Sequence, residues 1–317
     1  MKGLTDIPGI LVGHASDFDG LTGCTVIRCD AGAVAGADLR GSATGTVEMD
    51  VLNPLHLTPH IHAVTLAGGS AFGLEASSGV RKILEQKGIG FAMPAARVPL
   101  VAGAILYDLG IGKAGVRPTR EMGEAAAAAA TADAVKEGAV GAGTGATVGK
   151  LYGLKQAMKG GIGSATVSLD GGVLVAALAA VNAFGDVRDA RTGRLIAGAR
   201  RSAAGMELAD TEAQLKRGVR GGGHGENTTL VVIATNARLT KVQATKLAQL
   251  GSAGMARALS PAWTIYDGDL TIALSAGAIE ADMTALGVAA AEAVAESIAR
   301  AVRMAPTLGG VPGLAKA

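Results

Sequence analysis

Long apolar runs that alternate with helix-like segments constrain the fold of this chain most. IHAVTLAGG from Ile61 and TTLVVIATNA from Thr228 have the length and composition of buried β-strands. GIGSATVSLDGGVLVAALAAVN from Gly161 predicts two strands that turn at Asp170-Gly171-Gly172, which puts Asn182 at a strand end. DGDLTIALSAG, nearer the C-terminus, predicts one more strand.

Four other segments carry the apolar spacing of helices. They are SAFGLEASSGVRKILEQKG, which closes on Gly88, TREMGEAAAAAATADAVKEG from Thr119, LTKVQATKLAQLGSAGMARAL and IEADMTALGVAAAEAVAESIARAV. No internal repeat or disordered linker separates the predicted elements. We therefore expect residues 1–317 to form a single α/β domain, with sheet inside and helices outside.

Composition narrows the class of ligand. The net charge is only +2, the Lys and Arg residues are scattered, and aromatic residues make up 3% of the chain. Neither a basic patch nor a platform for stacking bases is indicated, so we expect no nucleic-acid partner. The longest apolar run, from Gly171, is shorter than a bilayer span, and the N-terminus lacks the pattern of a secretory signal. These features predict a cytoplasmic protein, without a membrane partner, that binds a small molecule or peptide.

Two glycine-rich segments resemble phosphate-binding loops without meeting their requirements. In GTGATVGKL, counting back from Gly149-Lys150 places Thr144 where the first glycine of a P-loop is needed, and Leu151 replaces the Ser or Thr that would hold magnesium. GGSAFG at Gly68 lacks the glycine spacing of a dinucleotide fingerprint. We interpret this second segment as a loop that lines a pocket.

Metal chemistry has little support in the sequence. His56, His60 and His62 are close together, but Pro54 and Pro59 interrupt any helix that would align the first two. No neighbouring Glu or Cys completes a recognised zinc pattern. The sequence predicts no metal site.

Two further chemistries are also disfavoured. Cys24 and Cys29 are five residues apart in a strand-like stretch, so their side chains should point to opposite faces and remain reduced in the core. No G-x-S-x-G elbow is present, which leaves a Ser-His-Asp hydrolase without support.

The junction between GGGHGEN and TTLVVIATNA suggests a different nucleophile. A Thr that becomes the first residue of a new chain gains an α-amine, which titrates near pH 8 and can serve as a local base. Thr228 stands where a rigid strand begins, after a glycine-rich segment that is loose enough to be strained and then released. The Asn227-Thr228 bond is therefore the predicted cleavage point.

Six segments, in this order, resemble the L-aminopeptidase/D-amidase-esterase family. They are GGSAFGLEASSGV, GAGTGATVGK, MKGGIGSATV, VNAFGDV, ENTTLVVIATNA and DGDLTIALSAG. The Asn-Thr junction is most similar to that of the nylon-oligomer (aminohexanoate-oligomer) hydrolases, whereas branches with a Ser nucleophile carry Gly before it. The resemblance implies an αββα sandwich like that of the N-terminal-nucleophile hydrolases but with different connectivity. It also implies a precursor that cleaves itself, here into an α chain of residues 1–227 and a β chain of residues 228–317.

The resemblance further implies roles for particular residues. Thr228 matches the nucleophile of both self-cleavage and catalysis. Asn182 in VNAFG matches the Asn whose amide helps to hold the oxyanion, and Lys150 in GATVGK matches a Lys of the nylon-hydrolase branch. The oxyanion-hole tyrosine of other branches has no clean counterpart, because Tyr152 is out of register.

Two carboxylates complete the predicted site. Asp267 and Asp269 alternate along an extended segment, so both could face one side and meet the new amine and the Thr228 hydroxyl. The resemblance to the β-aminopeptidase branch is looser here, because that branch carries Ser at the place of Asp267 and Glu at the place of Asp269. The carboxylate at position 269 is therefore the firmer match, and the one at position 267 is specific to a branch.

We expect an enzyme that hydrolyses the amide bonds of small peptides or linear amino-acyl amides through a covalent acyl-enzyme, with no cofactor. L-, D-, β- and ω-amino acyl groups all remain open as substrates. Family members usually assemble as tetramers of αβ units, so the resemblance implies a homo-oligomer. Two alternatives are an acyltransferase of the ornithine-acetyltransferase kind and a non-enzymatic binding protein whose chain stays whole.

Overall fold

The computed structural model describes residues 2–221 and 227–316 of the 317-residue chain. In chain order the first eight strands are β1 (Ile10–Asp17), β2 (Thr22–Leu39), β3 (Thr46–Val47), β4 (His60–Ala67), β5 (Phe91–Ala92), β6 (Arg97–Val98), β7 (Val101–Ile105) and β8 (Thr147–Val148). The other eight are β9 (Met158–Lys159), β10 (Gly161–Ser168), β11 (Leu174–Asn182), β12 (Asp186–Arg188), β13 (Leu195–Ala197), β14 (Thr228–Ala237), β15 (Leu259–Ser260) and β16 (Leu270–Ile279).

The α-helices are α1 (Ala76–Gln86), α2 (Arg120–Ala128), α3 (Thr211–Lys216), α4 (Lys241–Ala258) and α5 (Met283–Arg303). Short 3-10 helices span Leu4–Asp6, Met49–Leu52, Ser70–Glu75, Gly141–Gly143, Leu154–Gln156 and Asp170–Gly172. Within the described residues, no helix is both long and apolar enough to cross a membrane.

One large sheet runs in the order β10-β11-β14-β16-β2-β4-β7-β3, and β1 also pairs with β2. Strand β2 belongs to both halves of this sheet. Residues up to Cys29 pair with β1, residues up to Val34 pair with β4, and residues 34–39 pair with β16. The ladder between β2 and β4 shifts register between Arg28 and Ala33. Strand β2 therefore connects two sheet layers.

Three apolar clusters show the layers. The first lies between strands β11, β14 and β16 and helices α4 and α5, and the third lies between strands β2, β4 and β7 and helices α1 and α2. The second joins the two sheet layers face to face, with Ile27, Val64 and Leu66 from one layer and Leu178, Val232 and Ile272 from the other. The resulting order of helix, sheet, sheet and helix confirms the αββα architecture.

Most elements agree with the sequence-based predictions. The hairpin of β10 and β11 turns at Asp170–Gly172 and ends at Asn182. Cys24 and Cys29 are buried and reduced, and they belong to different apolar clusters, as their spacing predicts.

The helix predicted from Thr119 to Gly138 is wrong in its second half. Thr119 caps the N-terminus by accepting a hydrogen bond from the Met122 N–H, but α2 ends at Ala128. After it, Thr131 exchanges two backbone hydrogen bonds with Val12 of strand β1. This tertiary pairing overrides the helix propensity of the alanine run.

Candidate active site

Thr228 is the first residue of strand β14, between β11 on one side and β16 on the other. Leu230 and Val232, further along the strand, belong to the apolar cluster between the two sheet layers. Since alternate residues of a strand face the same side, the Thr228 side chain also faces the space between the layers. Thr228 is 3% exposed, so this hydroxyl lies in a buried site.

The peptide bond before Thr228 is closely surrounded. The Thr228 hydroxyl donates a hydrogen bond to the carbonyl oxygen of Asn227 at 2.5 Å. The backbone N–H of Gly268 donates to the same oxygen at 2.8 Å. The side-chain amide of Asn227 donates to the Tyr266 carbonyl at 3.4 Å. The predicted nucleophile thus lies beside the carbonyl group that it is predicted to attack.

On the β11 side, Asn182 is the antiparallel partner of Thr228. Directly opposed side chains lie on the same face, with Cβ atoms about 5 Å apart. The Lys150 ammonium donates to the backbone oxygen and the Oδ1 atom of Asn182, each at 2.9 Å. The N–H of Thr147 also donates to Oδ1, at 3.0 Å, while Nδ2 donates to the Tyr107 carbonyl at 2.9 Å. The structure therefore brings Lys150, Asn182 and Thr228 together.

On the β16 side, both predicted aspartates lie beside the junction. Asp269 accepts hydrogen bonds from the N–H groups of Thr229, at 2.5 Å, and of Trp263, at 3.3 Å. The segment that contains Asp267 pairs in parallel with Asn227. The Asp269 carboxylate therefore contacts the backbone just after Thr228, whereas Asp267 adjoins Asn227 through its own backbone.

Asp267 is held by its own set of donors. Its side chain accepts hydrogen bonds from the N–H of Phe184 at 3.2 Å, the N–H of Thr264 at 3.0 Å and the Thr264 hydroxyl at 2.5 Å. The side chain is buried, with the residue only 1% exposed. Asp267 is therefore fixed in place.

Burial raises the pKa of both carboxyl groups above that of an ordinary aspartate. The charge of Asp267 raises the pKa of Asp269 further, whereas hydrogen bonds and the charge of Lys150 oppose the shift at both groups. The pair therefore retains a proton to a higher pH than two exposed aspartates would, as interacting carboxyls do.

Comparison with known proteins assigns the chain to a family. The model of peptidase family S58 matches residues 2–315. This chain belongs to peptidase family S58. It is accordingly a hydrolase that acts on amide bonds, and the resemblance to the aminopeptidase and amidase family is confirmed.

Two relatives and one solved structure illustrate the similarity. An uncharacterised aminopeptidase of Mycobacterium tuberculosis is 37% identical over 98% of this chain and 96% of its own length. A 6-aminohexanoate-oligomer endohydrolase of Kocuria sp. is 30% identical over 94% of this chain and 85% of its own. The L-aminopeptidase D-Ala-esterase/amidase of Ochrobactrum anthropi, described as a variant of the Ntn hydrolase fold, is 19% identical, with a TM-score of 0.74 over 98% of this chain and 88% of that one.

The expected contact between the carboxylates and the nucleophile is less direct in this S58 peptidase. The hydrogen bonds of Asp267 and Asp269 come from neighbouring donors, and among the described residues none joins either carboxylate to the Thr228 hydroxyl. The roles of Asp267 and Asp269 in catalysis thus stay predictions. Residues 222–226, predicted to be a loose segment, lie outside the described residues.

A second buried lysine, which the sequence did not single out, supports the β11 side. The Lys159 ammonium donates to the carbonyls of Thr144 at 2.8 Å and Ala146 at 2.7 Å, next to the Thr147 N–H that contacts Asn182. Burial lowers the pKa of Lys159 to about 7; the charge of Asp108 opposes this shift and that of Lys150 adds to it. Its ammonium fixes the segment that leads to Lys150.

A narrow cavity adjoins Lys150. The residues that line it are Tyr107, Asp108, Gly110, Ile111, Gly145, Thr147, Lys150 and Leu154. Asp108 also accepts a hydrogen bond from the Gly69 N–H at 2.7 Å, which ties the GGSAFG segment to the cavity wall. Tyr107, whose carbonyl accepts from Asn182, follows the end of strand β7 by two residues. Its place after a buried strand is the sequence signal that could have identified it as a site residue. Tyr152, the tyrosine that the resemblance left out of register, is 36% exposed.

Proposed function

We propose that this chain is a self-processing amide hydrolase whose nucleophile is the N-terminal threonine of a new β chain. The observation that supports this most is the 2.5 Å separation between the Thr228 hydroxyl and the carbonyl oxygen of Asn227. A hydroxyl in this place lies next to the carbonyl carbon of the bond to be cut. Residues 1–317 act as one domain, which is cut into chains 1–227 and 228–317.

Self-cleavage proceeds in two steps. The Thr228 oxygen attacks the Asn227 carbonyl carbon, the carbon–nitrogen bond breaks, and the nitrogen takes up the hydroxyl proton, which converts the amide into an ester. Water then hydrolyses the ester, leaving a carboxylate on Asn227 and a free hydroxyl and amine on Thr228. This amine, with a pKa near 8, can act as the local base in later turnovers.

Substrate hydrolysis repeats the same chemistry on an external amide. The Thr228 hydroxyl attacks, the amine and the carboxylates of Asp267 and Asp269 move its proton to the leaving nitrogen, and the acyl-enzyme is hydrolysed. Asn182 and Lys150 stabilise the developing negative charge, consistent with the position of Asn182 opposite Thr228 and of Lys150 on Asn182. The mechanism that we propose uses no metal or organic cofactor.

We infer that the substrates are slim, extended amides such as small peptides or linear amino-acyl amides. The chain has few aromatic residues, 3% of the total, and 48 glycines, which favours a pocket for slim acyl chains. The named relatives include an aminopeptidase and an aminohexanoate-oligomer endohydrolase. A screen of p-nitroanilides of L-, D- and β-amino acids beside linear aminohexanoate oligomers would identify the acyl group.

We further propose that the processed protein is a cytoplasmic homo-oligomer, most simply a tetramer of αβ units. Exposed apolar side chains on the outer helices, Val242 at 66% and Val288 at 64%, support an association of this kind. Size-exclusion chromatography with light scattering tests it, and a mass equal to a single αβ unit would count against it.

The decisive experiment replaces the nucleophile. Thr228→Ala should remain one chain on a denaturing gel and lack amidase activity, whereas Thr228→Ser should process at least partly. Thr229→Ala is the matched control, because its hydroxyl lies one residue beyond the bond; it should be cut to give a β chain that starts at Thr228. Cleavage of Thr228→Ala at the same bond would point to an external protease instead.

A further inference from the structure

We propose that the backbone N–H of Gly268 stabilises the oxyanion that forms on Asn227 during self-cleavage. The inference rests on the self-cleavage proposed above and adds a catalytic group that lies outside the set predicted from side chains. Its basis is the geometry of the segment from Asp267 to Asp269.

Gly268 lies directly alongside Thr228. Asn227 pairs in parallel with Asp267, and Leu230 pairs in parallel with Leu270, so the same register places Gly268 opposite the nucleophile. The Gly268 N–H donates to the Asn227 carbonyl oxygen at 2.8 Å.

Attack by Thr228 turns this carbonyl oxygen into an anion, because the carbonyl π electrons move onto it. A donor that is already directed at the oxygen becomes stronger as the charge grows and needs no reorganisation. The Thr228 hydroxyl, which also donates to this oxygen, loses its proton as it attacks. Among the described residues, the Gly268 N–H is then the hydrogen bond that persists on the oxyanion.

The predicted oxyanion residue, Asn182, has hydrogen bonds on the β11 side. Its Nδ2 donates to the Tyr107 carbonyl at 2.9 Å, and its Oδ1 accepts from Lys150 and Thr147. These contacts orient Asn182 toward the β11 side and the cavity. The donor that the structure shows on the Asn227 oxygen is the backbone N–H of Gly268, on the β16 side.

The need for glycine at this position has a steric cause. A Cβ atom built on Gly268 would lie 2.8 Å from the Thr228 hydroxyl oxygen and 2.6 Å from the Ala43 carbonyl oxygen. Any side chain here would therefore press on the nucleophile. The glycine lets the N–H and the hydroxyl approach the same carbonyl group.

The segment around Gly268 is held from several directions. The Ala43 N–H donates to the Asp267 carbonyl at 3.0 Å, and the N–H groups of Arg40 and Gly41 donate to the Asp269 carbonyl at 3.0 and 2.9 Å. The two aspartate side chains add the hydrogen bonds described above. The Gly268 N–H is consequently fixed before the reaction begins.

The test removes this N–H with the smallest covalent change; the ester also makes the Asp267 carbonyl a weaker acceptor for the Ala43 N–H. Cell-free translation with a suppressor tRNA charged with glycolic acid replaces the amide nitrogen of residue 268 by an ester oxygen. Self-cleavage of the radiolabelled chain, followed on a denaturing gel, should slow by about a hundredfold, as removal of one oxyanion donor does. The reference is the same chain made with the tRNA charged with glycine.

Glycolic acid at Gly277, in the same strand β16 but away from the junction, is the matched control and should leave cleavage unchanged. Resistance to thermolysin should be the same for the chains altered at either position. Cleavage of the 268 ester within threefold of the glycine chain would overturn the role of Gly268 while leaving self-cleavage intact. A 268 ester chain that is slow only because it has lost protease resistance would also overturn it. If the glycine-charged chain itself stays whole, self-cleavage fails and the inference fails with it.

Discussion

The two flanks of strand β14 contribute different chemistry to the same threonine. On the β11 side the contacts are made by long side chains, with the Lys150 ammonium and the Asn182 amide in one network. On the β16 side the contacts to the junction go through the backbone, with the Gly268 N–H on the Asn227 oxygen and Asp269 on the Thr229 N–H.

This difference suggests a division of labour. An antiparallel neighbour places its side chain beside that of Thr228, which suits charge stabilisation of an external substrate. A parallel neighbour in register places its N–H on the carbonyl of the junction itself, which suits self-cleavage. Substitutions on the two flanks should therefore affect the two reactions differently.

The largest effect of a substitution on the flanks is expected at Asp269. Asp269→Asn keeps an oxygen that can accept from the Thr229 N–H but removes the ability to take up a proton, so self-cleavage and turnover should fall by about a thousandfold. Rates from gels and from amide hydrolysis measure this. A loss below tenfold would exclude Asp269 as a proton acceptor.

Folding stability provides the control for that variant. The pKa of Asp269 is raised in the folded state, so the folded protein holds the proton more tightly than the unfolded chain does. Its contribution to stability therefore falls as the pH rises from the unfolded pKa toward the folded one. Asp269→Asn removes this pH dependence and sets an amide nitrogen against the Trp263 N–H, so the stability of the parent chain relative to the variant should fall as the pH rises from 5 to 8 in thermal unfolding.

The next effect concerns the β11 flank. Asn182→Ala and Lys150→Ala should each lower substrate hydrolysis by about a hundredfold in the processed enzyme, mainly through kcat and less through KM. Self-cleavage should slow less than hydrolysis, because the Gly268 N–H remains on the Asn227 oxygen. Near-normal turnover in either variant would remove that residue from the site.

The pH dependence of self-cleavage tests the carboxylate pair as a whole. Because burial raises both pKa values, the ionised form is lost on acidification at a pH above the value of about 4 for an ordinary aspartate. The rate of self-cleavage should therefore fall as the pH decreases through an apparent pKa above that value. Asp269→Asn should change the apparent pKa on this acidic side of the pH–rate profile. A rate that stays constant down to pH 4 would contradict the role of the pair.

The smallest effect is expected at Thr229. Its hydroxyl is buried and has no hydrogen-bond partner among the described residues, so Thr229→Val should cleave normally and raise the free energy of unfolding by about 1 kcal/mol. Thr235→Val, in the same strand, is the comparison, since that hydroxyl donates to the Leu174 carbonyl at 2.8 Å. Thr235→Val should instead be destabilised, and denaturant unfolding distinguishes the two.

Much of the fold follows from local patterns. The hairpin that ends at Asn182 and the strand that begins at Thr228 are marked by turn glycines and by continuous apolar runs. The helix prediction fails after Ala128, near the end of the alanine run, because helix propensity there competes with a distant pairing between Thr131 and Val12. Sequence patterns report local preference, whereas such pairings depend on the assembled sheet.

The site shows the same limit. Thr228, Asn182 and the two aspartates stand in recognisable segments, and the structure places them around one junction. Gly268 contributes a backbone N–H, and Lys159 acts through the carbonyls that it binds. The direction of a backbone group and the approach of distant loops are set by tertiary structure, so these contributions were not evident from residue types.

Self-cleavage of the unmodified chain tests the central claim most directly. Chain made by cell-free synthesis is diluted over a hundredfold range, and its cleavage is followed by gel and by N-terminal sequencing of the small fragment. Attack by Thr228 on its own neighbour predicts a first-order rate that does not change with dilution and a fragment that begins at Thr228. A rate that falls with dilution, a different N-terminus, or an uncut chain with full amidase activity would contradict it.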